Sequence, residues 1–258
     1  MRLLIDAGNS RLKWNLSDDE GVSLLQQTRA IPWRDTELTA EMDAQWQGLR
    51  DIHSVWLSNV AGEALQQTLQ HWLQQHWQLD LNIAGAEATW LGVTNGYRDY
   101  TQLGVDRWLT LLACHALLPQ QDACIIDCGS AITVDVLTGE GKHLGGMILP
   151  GPDLMLQSLL TGIHVPESSG VVGRDQRQDA GQWLGQSTAE CIEQGIRHSS
   201  LGFLEHIIAL MQQTLGNNSR IVLTGGDAPQ YLSHITQDVA HYPDLVLQGL
   251  LLVSGTQT

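Results

Sequence analysis

Apolar and polar positions alternate in short blocks from the first residue onward, and the blocks predict strands and helices in turn. Residues 2–6 and 11–16 read as strands, with a third over 22–29. A helix is predicted over 37–50, and "DIHSVWLSNV" reads as a strand ending near Ser58. Residues 62–77 put Leu65, Leu69, Trp72, Leu73 and Trp77 on one stripe with glutamines opposite, an amphipathic helix rather than a low-complexity tract. "GVDRWLTLLACHALL" predicts a helix over 105–118 closed by Pro119. Strands then recur over 123–127, 131–137 and 143–149, and "GPDLMLQSLLTGI" reads as a helix with Pro in its first turn. Residues 166–186, rich in Gly, Gln, Ser and Asp, are expected to form a loop. A long helix over 187–215, a strand at "RIVLTGG" and a last helix after residue 247 complete the chain. The domain boundary is expected near residue 120, giving halves of 1–119 and 120–258.

A chain of 258 residues, 43% hydrophobic and with 26 glycines, fits a soluble α/β protein with a substantial core. No apolar run reaches the roughly 18 residues of a membrane span, and the N-terminus enters a strand without signal-peptide features. The expected location is the cytoplasm, with no membrane partner. The four cysteines (Cys114, Cys124, Cys128, Cys191) show no metal-site spacing and are expected to be buried thiols. The ten histidines form no ligand pair of the H-E-x-x-H kind. A formal charge of −15 argues against nucleic-acid binding, which depends on clustered Lys and Arg. An anionic substrate would need its own local positive charges.

One motif occurs twice. "LLIDAGNSRLKWNL" at 3–16 and "CIIDCGSAITVDVL" at 124–137 align with Asp6 on Asp127, Gly8 on Gly129, Asn9 on Ser130 and Ser10 on Ala131. Each copy can be a β-hairpin turn, because Gly and Asn tolerate positive φ. Each can also be a phosphate cradle, in which Gly lets backbone N–H groups approach an anion and the Asp holds a cation or water. Lys13 lies within reach of the first loop, and the two readings are compatible. Two such hairpins resemble the superfamily of acetate and sugar kinases, Hsp70 and actin: an α/β fold of two ribonuclease-H-like domains with ATP in the interdomain cleft. Those proteins also carry a late Gly-Gly turn that supports adenosine, and "VLTGGDA" at 222–228 supplies Gly225, Gly226 and Asp227 in the right order.

"LGVDRW" at 103–108 admits two readings. Asp106 can simply favour the helix dipole, with Arg107 in a surface pair. Alternatively, an Asp at a helix start accepts a proton from a substrate hydroxyl, and the neighbouring Arg grips a carboxylate bidentately.

With these residues in place, the chain resembles the type III pantothenate kinases over nearly its whole length. The resemblance rests on "DAGNSRLKW", "NGYRDYTQLGVDRW", "IIDCGSAITVDV", "GGMILPG", "LGQSTAECIEQGI" and "LTGGDA", in family order and spacing. It implies transfer of the ATP γ-phosphate to the 4′-hydroxyl of pantothenate, the committed step toward coenzyme A, with Mg²⁺ on the nucleotide. It also implies a homodimer and dependence on K⁺ or NH₄⁺. Residue by residue, Asp6, Ala7, Gly8, Asn9, Ser10, Arg11, Leu12 and Lys13 look like the first phosphate loop. Asp106 resembles the general base, and Gly104, Val105, Asp106 and Arg107 the pantothenate contact. Tyr97 matches a substrate-site aromatic, Asp127 the monovalent-cation ligand, and Ser130 an ATP-contacting position usually held by Thr. Thr188 matches a Thr that binds substrate near the dimer interface; the preceding family Asn is here Ser187, and the pair also reads as a helix N-cap. Tyr100 stands near a position often held by Pro.

Two rivals accompany this reading: a kinase of the same superfamily acting on a sugar or another short acid, and a regulatory or accessory protein without turnover. The presence of Asp6, Asp106 and Asp127 together speaks against the second.

Overall fold

The structure is a computed structural model describing residues 1–18, 23–34, 37–162, 183–216 and 218–256. Strands β1 (Arg2–Ala7), β2 (Arg11–Ser17), β3 (Arg29–Pro32), β4 (Ser54–Asn59) and β5 (Leu81–Ile83) form one sheet in the order β3-β2-β1-β4-β5. β1 pairs antiparallel with β2 and parallel with β4, because a two-strand hairpin leads out of β1 whereas a helical crossover leads into β4. Strands β6 (Thr89–Trp90) and β7 (Val93–Thr94) make a small antiparallel ribbon. Strands β8 (Ala123–Cys128), β9 (Ala131–Leu137), β10 (His143–Pro150), β11 (Arg220–Thr224) and β12 (Val239–His241) form a second sheet in the order β10-β9-β8-β11-β12. Counted from its own first strand, each sheet reads 3-2-1-4-5, so the repeated motif marks a repeated sheet as well as a repeated loop. This is the two-sheet α/β architecture of ribonuclease-H-like halves.

Helices α1 (Leu38–Trp46) and α2 (Glu63–His76) bury Met42, Trp46, Leu65, Leu69, Trp72 and Leu73 in the core with β1 to β4, while the glutamine face of α2 stays wet. Trp14, Trp46 and Trp72 meet edge to face at centroid separations of 6.1 and 5.5 Å. Such pairs add about 0.5–1.5 kcal/mol each beyond their burial. The Trp14 and Trp72 indole N–H groups donate to Gln45 Oε1 and Asp43 Oδ1, so no polar atom of either ring is stranded. Helices α3 (Val105–Leu117), α4 (Pro152–Gly162), α5 (Thr188–Leu215), α6 (Pro229–Leu232) and α7 (Leu245–Thr256) complete the described elements.

The chain divides into two compact units. One comprises Met1–Ala123, Asp135–Gly145 and Asp244–Thr258; the other comprises Cys124–Val134 and Gly146–Pro243. The expected boundary near residue 120 lies close to the first crossing, but the chain then re-enters the first unit twice. α7, nearly all apolar and almost wholly buried, packs on α3 and contacts β1, β2 and β4.

Elsewhere the pattern-based expectations meet the structure with local shifts. The strand expected over 22–29 is replaced: Leu24 forms only an isolated bridge to Ser17, Leu25 is exposed, and the third strand is Arg29–Pro32, where Ile31 enters the core. The loop expected over 166–186 lies mostly outside the described residues. Three cysteines are buried, but Cys191 is exposed on α5, so the expectation of four buried thiols fails there. Its helix position faces solvent, and four isolated cysteines carry no periodicity that could have signalled it. Burial pushes the Cys114 and Cys128 thiols up to about 12. No helix among the described residues is long and apolar enough to cross a membrane.

Candidate active site

The first Asp-x-Gly loop is a hairpin. Gly8 N–H donates to the Arg11 carbonyl (3.1 Å), and the register sets Asp6 opposite Lys13 and Ala7 opposite Leu12. Directly opposed residues share a face, so Asp6 and Lys13 project together while Ala7 and Leu12 are buried in the core. Asn9, Ser10 and Arg11 are exposed at the tip. Trp33 donates its indole N–H to the Gly8 carbonyl (2.9 Å) and braces the turn from β3's end, a contact no local pattern announced.

The second loop is tighter. Gly129 N–H reaches the Ala131 carbonyl (3.0 Å), and β9 begins one position earlier than β2 does under the alignment of the two copies. Two glycines press on this loop. A Cβ at Gly225 would overlap the Cys128 carbonyl and crowd Asp127, and its φ of +93° also suits glycine. A Cβ at Gly151 would overlap the Gly129 and Ser130 carbonyls. Asp227 N–H donates to the Cys128 carbonyl (2.8 Å) and Gly151 N–H to the Ser130 carbonyl (2.9 Å). Gly225 and the last Gly of "GGMILPG", Gly151, therefore shape the second Asp-x-Gly loop by letting backbone approach backbone. Asp127 and Ser130 remain half-buried on it. Asp127 Oδ1 and the Cys128 carbonyl lie against the same Gly225 position, and oxygen donors of this kind suit a hard cation such as the monovalent ion the resemblance implies.

At the start of α3, Gly104 is the N-cap and Val105 and Asp106 open the helix, both half-buried. Asp106 Oδ1 accepts the Arg107 N–H (2.8 Å), and a Cβ on Gly104 would come within 2.6 Å of the same oxygen. Glycine at 104 thus leaves room for the carboxylate to fold back over the helix end. Burial raises the Asp106 pKa, against the lowering by the Arg107 N–H and charge, and the Asp135 charge adds to the rise. A carboxyl shifted this way is a better proton acceptor than an exposed one.

Arg107 is not in a surface pair. It is buried, and its Nε and Nη2 donate to the two oxygens of Asp135 at 2.8 and 2.6 Å, while Nη1 donates to the Tyr97 hydroxyl at 2.7 Å. Burial works against the charged guanidinium, but the Asp135 hydrogen bonds outweigh it and raise its pKa. Asp135 and His143 escaped sequence reading. The only signal for Asp135 is an acidic residue inside an otherwise apolar buried strand, "AITVDVL". Tyr97 is half-buried in a loop shaped by Asn95, whose Oδ1 accepts the Tyr97 N–H (3.0 Å). Tyr100 opens a single 3₁₀ turn and is exposed.

Thr188 is the first residue of α5 and is exposed; the N-cap is Ser187, whose Oγ accepts the Glu190 N–H (3.3 Å). The capping reading thus applies to Ser187 and leaves the Thr188 hydroxyl outside the cap.

The sequence profile described as type III pantothenate kinase matches residues 2–210. A type III pantothenate kinase of Nitrosococcus oceani is 33% identical, covering 98% of this chain and 94% of that one. One of Nitrosospira multiformis is 35% identical, covering 98% and 90%. Among solved structures, a putative 2-dehydro-3-deoxygalactonokinase of Sinorhizobium meliloti superposes with a TM-score of 0.58 at 14% identity, covering 98% of each chain, a likeness of fold. The repeated Asp-x-Gly motif, the Gly-Val-Asp-Arg helix start and the extent of these matches agree: the chain belongs to the type III pantothenate kinase family.

Proposed function

We propose that the protein transfers the γ-phosphoryl group of ATP to the 4′-hydroxyl of pantothenate, the committed step of coenzyme A biosynthesis. The observation that carries the reading is the half-buried carboxylate of Asp106 at the start of α3, its pKa raised by burial and its neighbour a guanidinium. Asp106 takes the proton of the attacking hydroxyl as the γ-phosphoryl group moves. Asn9, Ser10 and Lys13 of the first loop and Ser130 of the second bind ATP phosphates, which carry Mg²⁺. Tyr97, the helix start and Arg107 bind pantothenate. A homodimer, with Thr188 near its interface, is supported by exposed Met147 and Ile148 on β10, an edge strand, and by exposed Leu154 and Leu160 on α4. Edge strands with apolar faces are rarely left uncovered.

The direct test is ATP-dependent phosphorylation of pantothenate followed by coupled ADP release. Turnover of a sugar or another short acid in its place would establish the sibling-kinase alternative; ATP binding without turnover of any acceptor would establish the accessory one. The same assay tests the cation. Asp135 already neutralises Arg107, so two anionic substrates meet little fixed positive charge in this acidic chain. A K⁺-sized ion held by Asp127 would offset charge on the transferring phosphate. At constant ionic strength, KCl and NH₄Cl should support turnover at least about tenfold faster than NaCl, and Asp127→Asn should reduce that ratio. Full activity in Na⁺ with K⁺ rigorously removed would overturn the cation assignment.

Arg107→Lys keeps the charge and loses the planar fork. KM for pantothenate should rise by about 10–100-fold, the worth of a charged hydrogen-bonded contact, with a smaller change in KM for ATP. Pantothenol, which lacks the carboxylate, should respond less. Equal losses for both acceptors would confine Arg107 to its ion pair with Asp135.

A further inference from the structure

Asp135 and His143 touch no substrate in the roles given above, yet they are among the most buried polar side chains of the described residues, each 1% exposed. A carboxylate in such surroundings is costly unless each oxygen is satisfied. Here the satisfaction is complete and directional. Oδ2 accepts Arg107 Nε; Oδ1 accepts both Arg107 Nη2 and His143 Nε2 (2.9 Å). The other ring nitrogen of His143, Nδ1, accepts the Gly96 N–H (3.3 Å). A nitrogen that accepts carries no proton, so the partners select the neutral tautomer with its proton on Nε2, donating to Asp135. Gly96 permits this approach, since a Cβ there would overlap the His143 carbonyl. The adjacent Tyr97 ring stacks on the imidazole at 6.0 Å and 17°.

The guanidinium is held on one edge. A guanidinium has five N–H groups; Asp135 takes one on Nε and one on Nη2, and Tyr97 takes one on Nη1. One N–H on Nη1 and one on Nη2 remain outside these bonds, and with the Tyr97 hydroxyl on the Nη1 hydrogen turned away from Nη2 they make the end-on pair that binds a carboxylate. Because Asp135 cancels the charge of Arg107, recognition by this pair depends on its direction more than on net attraction.

We propose that Asp135, clamped by the Nε2–H tautomer of His143, is the positioning residue that aims the remaining N–H pair of Arg107 at the carboxylate of the acceptor substrate. This rests on the pantothenate reading above. Asparagine at 135 keeps the shape but has one accepting oxygen, and its NH₂ would face N–H donors of Arg107 or His143, so the guanidinium must turn.

The experiment compares the parent, Asp135→Asn and His143→Leu with pantothenate and pantothenol, together with thermal unfolding and long-range ¹H–¹⁵N NMR of the histidine rings. In the parent, the His143 spectrum should show Nε2–H. In Asp135→Asn, kcat/KM for pantothenate should fall by about 10–100-fold, mainly through KM, with pantothenol and the KM for ATP changed only a few-fold. His143→Leu leaves the Arg107–Asp135 pair in place and should shift the same pantothenate-to-pantothenol ratio by a smaller factor, about 3–10-fold. Should Asp135→Asn fail to fold, the His143→Leu ratio and the parent tautomer decide. Equal losses on both acceptors in a folded variant, an unchanged ratio in His143→Leu, or an Nδ1–H tautomer in the parent would overturn the positioning role while leaving pantothenate phosphorylation intact. A parent inert toward pantothenate would overturn the functional reading and this inference with it.

Discussion

Asp106→Asn should lower kcat by roughly 10²–10⁴-fold, the contribution of a positioned general base, while the protein folds and binds ATP. Asparagine keeps the oxygen that accepts the Arg107 N–H, so the first turn of α3 retains its hydrogen bond. What disappears is a side chain able to take a proton. The raised pKa fixes the accompanying signs. Burial favours the protonated form in the folded state, so the stability attached to this group is fully present below its unfolded pKa and is lost as pH rises through the folded value. At neutral pH the parent therefore carries a desolvated carboxylate that the neutral amide avoids. Asp106→Asn should equal or exceed the parent in denaturant midpoint at neutral pH, with the advantage shrinking in acid. For the parent, kcat/KM should rise with pH along an acid limb centred above the ordinary carboxylate value, and the variant should lack that limb. Near-parental turnover in the variant would remove Asp106 from the chemistry.

Gly249→Ala should destabilise the first unit by about 3 kcal/mol, the upper end of ordinary overpacking, and lower its unfolding midpoint by roughly 6–12 °C at 2–4 °C per kcal/mol. On α7, Gly249 faces α3 so closely that a Cβ would overlap the Leu109 carbonyl and backbone. The obstacle is main chain inside a helix, which no rotamer change relieves, so the helices must separate. Because α3 carries Asp106 and Arg107 on its first turn, the separation should also reduce activity. Gly255→Ala on the same helix supplies the control. Its Cβ would meet only Arg2 Nη1, at an ordinary 3.8 Å, so the change should be neutral or stabilising by about 0.5–1 kcal/mol through helix propensity. Differential scanning calorimetry of the two variants reads the opposite signs directly. Equal behaviour would mean that α3 and α7 do not meet at Gly249 as described.

Local patterns were informative wherever an element is long enough to repeat them. α2, α3 and α5 were predicted to within a residue or two at each end, because each carries several turns of one apolar stripe. The doubled Asp-x-Gly was visible for a related reason: a hairpin tip must use residues that tolerate close backbone approach, and the chain spells that requirement out twice. The short strands β5, β6, β7 and β12 left no such trace, since two or three residues cannot express an alternation. Trp33 on the Gly8 carbonyl and Gly151 on the second loop were equally silent, being contacts of single atoms between distant segments.

The division is sharpest at Arg107. Its charge, its helix and its place beside Asp106 are all written in six consecutive residues, and so is a family motif that names a function. Those same residues suggest a surface pair or a fork open to a substrate carboxylate; the side chain is buried instead of in a surface pair, and one edge of its fork is taken by Asp135. Its partner is Asp135, 28 positions away, brought into register by β9 and held by a histidine at the head of β10. α7 makes the same point in apolar terms: its sequence demands burial on nearly every side but cannot say against what, and packing sends it back to α3 and the first sheet. Chemistry carried by residue type and helical or strand period is local and therefore legible. Direction, pairing and close approach depend on which distant surfaces meet, and those are settled only when the whole chain has closed on itself.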